Sequence, residues 1–165
     1  MKLVKFRLSI VALFSLIVLS GCQAYLAPNY DQAIFKGATE NGEVAMRFFA
    51  ALEYGTESEN FYSREPIYNQ LIGAFETLKL QAKARPIPNN NALKKINEHL
   101  QARGNDAITE EYPSAFAFGE IAETFRKMKK VDSENGIKPV VILAFKGQVE
   151  IYLDQAITYE SFLKR

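Results

Sequence analysis

The chain has 165 residues, with 20 Lys and Arg against 19 Asp and Glu, one His, one Cys and no Trp. Interleaved charges that nearly cancel leave no electrostatic footprint for nucleic acid and no polybasic strip for anionic lipid. The length and a 48% hydrophobic content suit one domain with a substantial core, and a single cysteine excludes an internal disulfide.

At the N-terminus, Lys2, Lys5 and Arg7 precede a nearly unbroken apolar run from Leu8 to Leu19, the layout of a secretory signal peptide. An uncleaved membrane helix is the alternative, but about twelve apolar residues fall short of the ~20 that span a bilayer. Leu19-Ser20-Gly21-Cys22 follows, and these four residues resemble the lipobox of bacterial lipoproteins. The resemblance implies diacylglyceration of Cys22, cleavage just before it and acylation of the new amino group. A buried or unpaired thiol is the plainer reading of a lone cysteine. Each buried methylene contributes ~0.8 kcal/mol, so two or more chains hold stably. In the lipoproteins it resembles, an Asp after the Cys favours inner-membrane retention, so Gln23 implies the outer membrane, with the inner membrane and cell surface as alternatives.

The division expected is therefore a signal peptide over 1–21, a lipidated Cys with a short tether over 22–30, and a helical domain over 31–165. Without its leader the chain keeps 17 basic and 19 acidic residues, a formal charge of −2. The seven residues Gln23 to Asn29 reach about 25 Å when extended, which holds the domain close to its membrane. Tyr25 and Tyr30 flank the tether and can sit among lipid headgroups.

The first helix is expected from Asp31 to about Tyr54, with Ile34, Ala38, Ala45, Phe48, Phe49 and Leu52 on one face and Asn29 or Asp31 as cap. Gly37 and Gly42 inside it mark either close approach by a neighbour or a weak first half. Tyr30-Asp31 opening a glycine-interrupted helix is similar to a pattern in small helical lipoproteins of Gram-negative bacteria, which implies no chemistry. A second helix fits Ser63 to about Ala84, capped by Ser63, with Pro66 in its first turn and Tyr68, Leu71, Ile72, Phe75, Leu78 and Ala82 as its stripe. Pro86 and Pro88 end it, and a short helix carrying Leu93, Ile96 and Leu100 follows. The next runs from about Pro113 to Val131 with Phe116, Ile121, Phe125 and Met128 apolar.

Val140-Val141-Ile142-Leu143 suits either a buried strand over 138–143 or the start of a helix after Pro139. Helical steps continuing through Val149, Tyr152, Ala156, Tyr159 and Leu163 favour the helix. The fold class expected is all-α, an antiparallel bundle of four long helices plus one short helix.

No pattern carries recognisable chemistry. His99, beside Glu98, reads as a surface side chain, and neither a metal set nor a nucleophile elbow surrounds it or Ser114, Ser133 and Ser161. The acid pairs Glu40/Glu43, Glu110/Glu111 and Glu120/Glu123 read as solvated faces and helix starts, since the Glu-x-x-His partner of a di-metal bundle is missing. Arg126-Lys127-Met128-Lys129-Lys130 reads as cations at a helix C-terminus rather than a phosphate-binding patch. No catalytic residue, metal or cofactor is assigned.

Aromatic residues offer candidate partner contacts instead: Phe61 and Tyr62, and Tyr112 with Phe116 and Phe118, exceed what the helical stripes require. The expected function is a non-enzymatic, periplasm-facing interaction or scaffold module of the envelope, anchored at Cys22 and bound to an envelope protein. The alternatives are a binder of lipid or a small hydrophobic ligand, using space left by Gly73, Ala74 and Gly147, and a receptor-blocking exclusion lipoprotein.

Overall fold

The computed structural model describes residues 28–85, 98, 101–102 and 112–164. It is all-helical, with four helices packed on one another: α1 (Gln32–Ala51), α2 (Phe61–Lys83), α3 (Pro113–Asn135) and α4 (Pro139–Leu163). One turn of 3-10 helix, Ser58–Asn60, leads into α2. Among the described residues there is no strand, only an isolated bridge between Thr56 and Ile137. Cys22, His99 and the apolar residues of the expected short helix lie outside the described residues. Glu98 and Gln101 are helical, and the Ala102 N–H donates to the Glu98 carbonyl at 3.1 Å.

Local chemistry accounts for the helix starts. Asp31 caps α1, its Oδ1 accepting from the Ala33 N–H at 2.8 Å and from Ile34 at 3.4 Å, which satisfies donors with no partner inside the helix. α2 begins two residues earlier than Ser63, continuing from the 3-10 turn, and Ser63 Oγ instead donates to the Asn60 carbonyl at 2.8 Å. Pro66 thus falls in the second turn, where it removes one backbone bond. The carbonyl it leaves, that of Tyr62, lies on an exposed stretch open to water. Pro113 and Pro139 each occupy the first helical position, where a missing N–H costs nothing.

Residues 139–143 are helical, so the strand alternative is overturned. The N–H groups of Val141 and Ile142 both turn back to the Lys138 carbonyl, at 2.9 and 3.1 Å. Within the run only Ile142 is buried, and the next buried positions are Val149, Ala156 and Glu160, a helical rather than alternating rhythm. α3 also continues a turn past Val131, to Asn135.

α3 is the best-packed element, with α2 on one side and α4 on the other, while α1 packs on α2 and α4. Named contacts give the directions. Arg64 near the start of α2 meets Asp132 near the end of α3, and Arg85 just past α2 meets Ser114 at the start of α3. Gly37 and Leu78 meet at one end of the α1–α2 pair, and Phe48 and Tyr68 at the other. Both pairs run in opposite directions.

Rings join three helices at the centre. Phe49 stacks on Phe125 at 5.6 Å, and Phe125 stacks on Phe75 at 6.3 Å. Such pairs contribute roughly 0.5–1.5 kcal/mol beyond the area they bury. The two glycines of α1 mark close approach rather than a weak half-helix. A Cβ on Gly37 would stand 2.8 Å from Leu78 Cδ2, and one on Gly42 would stand 2.7 Å from Leu153 Cδ2.

Candidate functional site

The stripe of α2 begins and ends with arginine: Arg64, Tyr68, Leu71, Phe75, Leu78, Ala82 and Arg85 follow one another in steps of four and three. Each arginine reaches a fully buried carboxylate on another helix. At one end of the bundle Arg64 Nε donates to Asp132 Oδ2 at 2.8 Å and Nη2 to Oδ1 at 2.7 Å. Thr56 Oγ1 adds a 2.5 Å bond to Oδ1, and Tyr68 donates to Oδ2 at 3.1 Å. Arg64 Nη2 also holds the Glu57 carbonyl at 2.8 Å, and Nη1 the Asn60 carbonyl at 3.1 Å.

This constellation ties two turns together. Thr56 and Ile137 exchange backbone bonds at 2.9 and 3.2 Å, and the Ile137 N–H also donates to Thr56 Oγ1 at 2.7 Å. Gly136 makes the approach feasible. Its φ is +67°, and a Cβ there would overlap the Thr56 carbonyl oxygen.

Electrostatics follows from the same contacts. Burial pushes the Asp132 carboxyl upward, but bonds from Arg64 and Thr56, the Arg64 charge and the bond from Tyr68 together hold it below the usual carboxylate range. The bond to Asp132 raises Arg64. Burial, reinforced by the neighbouring carboxylate, raises the Tyr68 phenol and keeps it protonated.

The opposite end repeats the arrangement. Arg85 donates to Glu160 through Nη1 at 3.0 Å and Nη2 at 2.7 Å, and Nη2 also reaches Ser114 Oγ at 3.0 Å. The Arg85 guanidinium lies 5.2 Å from the centre of the Tyr112 ring, a cation–π contact. Among the described residues no buried side-chain nitrogen or oxygen lacks a hydrogen-bond partner. These ionisable groups therefore hold helix ends together, and Ser114 is an acceptor within that structure.

The five aromatic candidates do not form one surface. Phe61 is 8% exposed and Phe118 fully buried, so both belong to the core: Phe61 stands three residues before Arg64 on the same side of α2, and Phe118, three residues before Ile121, takes the α3 core phase that Phe116 leaves. Tyr112 is half-buried against Arg85. Tyr62 and Phe116 are exposed, but Tyr62 lies in the first turn of α2, at the Arg64 end of the bundle, whereas Phe116 lies at the Arg85 end, its ring 6.0 Å from Tyr152.

The basic run also differs from expectation. It lies inside α3 rather than in its last turn, and Arg126 pairs with Glu76 at 2.8 Å while Lys129 pairs with Glu65 at 2.9 Å. Both bridges tie α3 to α2. Of the acid pairs, Glu40 faces Lys36, Glu43 faces Arg47, and Glu123 faces Arg126 and Lys127. Among the described residues no three His, Cys, Asp or Glu side chains group as metal ligands.

An open groove of about 660 Å³ lies along α1 and α2, lined by Val44, Phe48, Leu52, Arg64 and Ile67 among others. A smaller one of about 240 Å³ runs between α3 and α4 beside Val141, Ala144 and Phe145. Gly73 and Gly147 leave room only outward, since no atom lies within 4 Å of a Cβ on either.

The other conspicuous surface is the outer face of α4. Val140, Leu143, Ile151 and Phe162 are 63–69% exposed, with Ala144 and Gly147 between them. No described helix is long and apolar enough to cross a membrane. No protein-family model matches the chain, and no curated protein or solved structure matches it either.

Proposed function

We propose that the chain is a lipid-anchored, periplasm-facing module of the cell envelope that works by binding another envelope component rather than by catalysis. One observation carries the interaction reading: α4 turns Val140, Leu143 and Ile151 to solvent while its opposite face fills the core. Three large apolar side chains within about three turns of one helix form a patch of the kind that marks an interface. The buried ionisable residues support the non-catalytic part, since both carboxylates are fully occupied in joining helices.

The anchor reading rests on Leu19-Ser20-Gly21-Cys22 behind a basic and then apolar N-terminus, and Gln23 favours the outer membrane. Helix α1 begins at Gln32 with its cap at Asp31, soon after Cys22 in sequence, and so short a tether supports the reading that the bundle is held near its membrane. Labelling cells with palmitate and fractionating them tests the anchor. Wild-type chain should carry label and sediment with membranes, and Cys22→Ser should lose both. An unlabelled wild-type chain sinks this reading.

The groove along α1 and α2 favours a second reading, a small hydrophobic ligand lying against Val44, Phe48, Leu52 and Ile67. Native mass spectrometry of the purified full chain tests it: a bound small molecule supports it, and bare protein rejects it.

A further inference from the structure

We infer that the outer face of α4 pairs with the same face of a second copy of this chain, antiparallel and centred near Gly147. The inference rests on the docking reading of α4 given above and names its partner. Val140, Leu143, Ala144, Gly147 and Ile151 recur in helical steps, so they form one stripe about 17 Å long at 1.5 Å per residue. All but Gly147 are exposed, and Gly147 is partly so.

Among the described residues, none approaches Gly147 closely enough to require a glycine there. Gly37 and Gly42 are each closed over by a leucine, whereas a Cβ on Gly147 would meet nothing within 4 Å. Glycine inside a helix costs about 1 kcal/mol relative to alanine. Its place at the middle of an exposed apolar stripe is where a crossing helix gains most from close approach.

Charge selects the partner. Lys146 and Glu150 pair at 3.5 Å along one edge of the stripe, 40% and 51% exposed. In an antiparallel pair, like flanks face each other. A two-fold axis near positions 147–148 sets Lys146 of one copy beside Glu150 of the other, making four charges of alternating sign. The same axis sets Leu143 against Ile151 of the second copy, one turn either side of Gly147. Apolar centre and charged edge are thus self-complementary about one axis, as a two-fold interface requires. A lipid surface fits less well, because Glu150 and Asp154 border the same stripe and no cluster of cations offsets them. The patch is small for a stable dimer in free solution, and confinement to a membrane raises its effective concentration.

Disulfide trapping in membranes tests the pair with the full chain. Gly147→Cys, oxidised with copper phenanthroline, should give an adduct of twice the mass of the uncrosslinked membrane-bound chain. Lys130→Cys, on the exposed side of α3, should not. Adding Ile151→Asp should lower the yield about tenfold with the helical circular-dichroism signal unchanged. Lys146→Glu should lower it too, and Lys146→Glu with Glu150→Lys should restore it.

Equal yields from positions 147 and 130 would overturn the inference. An adduct of a different mass would leave α4 a docking face for another protein and remove self-pairing. With no adduct, protection of the thiol introduced at position 147 from a polar maleimide in phosphatidylethanolamine–phosphatidylglycerol vesicles would make lipid the occupant. Full reactivity there would remove both self-pairing and the docking reading. A free Cys22 thiol in the wild-type chain would sink the anchor alone.

Discussion

The Arg64 guanidinium meets the Asp132 carboxylate along its Nε–Nη2 edge, with bonds of 2.8 and 2.7 Å across 68 positions of sequence. Asp132 is fully buried and Arg64 nearly so, with a side chain 14% exposed. A buried ion pair of this kind contributes little net stability against an apolar replacement, because both charges lose their water. Its value lies in geometry: the fork, with Thr56 and Tyr68, fixes which turn of α3 faces which turn of α2.

Removing one partner is therefore costly. Asp132→Asn leaves the Arg64 charge without its counterion and should lower unfolding stability by about 3–5 kcal/mol. Urea denaturation of wild type and variant checks this. The double replacement Arg64→Met with Asp132→Leu should cost clearly less than the sum of the single changes.

Acid should weaken the same end of the bundle. The folded Asp132 carboxyl lies below its ordinary value, so the unfolded chain takes up the proton first as pH falls. The contribution is complete above the unfolded value of about 4 and is lost as pH falls through the folded one. Unfolding midpoints measured from pH 7 down to pH 2 should drop steeply below pH 4, and less so in Asp132→Asn.

Three glycines should respond in different ways. Gly136→Ala forces a side chain into positive φ and against the Thr56 carbonyl, and should cost about 1–3 kcal/mol or more. Gly42→Ala must displace Leu153, a flexible side chain, and should cost less. Gly73→Ala meets open space within α2 and should stabilise by about 0.4–1 kcal/mol. Thermal melting of the three variants ranks them.

At the other end, Arg85→Lys keeps the charge but gives up the two-pronged contact with Glu160 and the bond to Ser114. The expected loss is about 1.5–3 kcal/mol, read from denaturant midpoints. A lysine variant as stable as wild type would show that charge alone suffices there.

Two aromatic residues of similar appearance in sequence should separate sharply. Phe118→Ala opens the core and should cost about 3–5 kcal/mol, whereas Tyr62→Ala, 81% exposed in the wild type, should stay within about 0.5 kcal/mol. Chemical denaturation distinguishes them.

Much of the candidate site had a local signal that periodicity could have exposed. Asp132 follows Phe125 and Met128 in the same helical phase, and Glu160 follows Val149 and Ala156, so each acid stands where a core side chain belongs. An acid in a core position requires a buried partner, and the two arginines at the ends of the α2 stripe are the partners. Reading charged residues as solvated by default concealed all four. The apolar start of α4 was equally ambiguous because strand and buried helix share the same composition over four residues.

Sequence alone determined α1 to α3 and favoured a helix after Pro139 for α4, and it marked the core faces of α1 and α2, the two candidate caps Asn29 and Asp31, and the proline starts of α3 and α4. Each depends on residues within a turn or two of one another. It also carries the Leu-Ser-Gly-Cys motif on which the anchor proposal rests. Tertiary structure decided which arginine meets which acid, that Thr56 and Ile137 join two turns, and that Phe61 and Phe118 are core while Leu143 and Ile151 face outward. Those outcomes depend on which helix ends abut, and the groups concerned lie 68 and 75 positions apart in the ion pairs. Helical periodicity is a local property and carries no record of that distance.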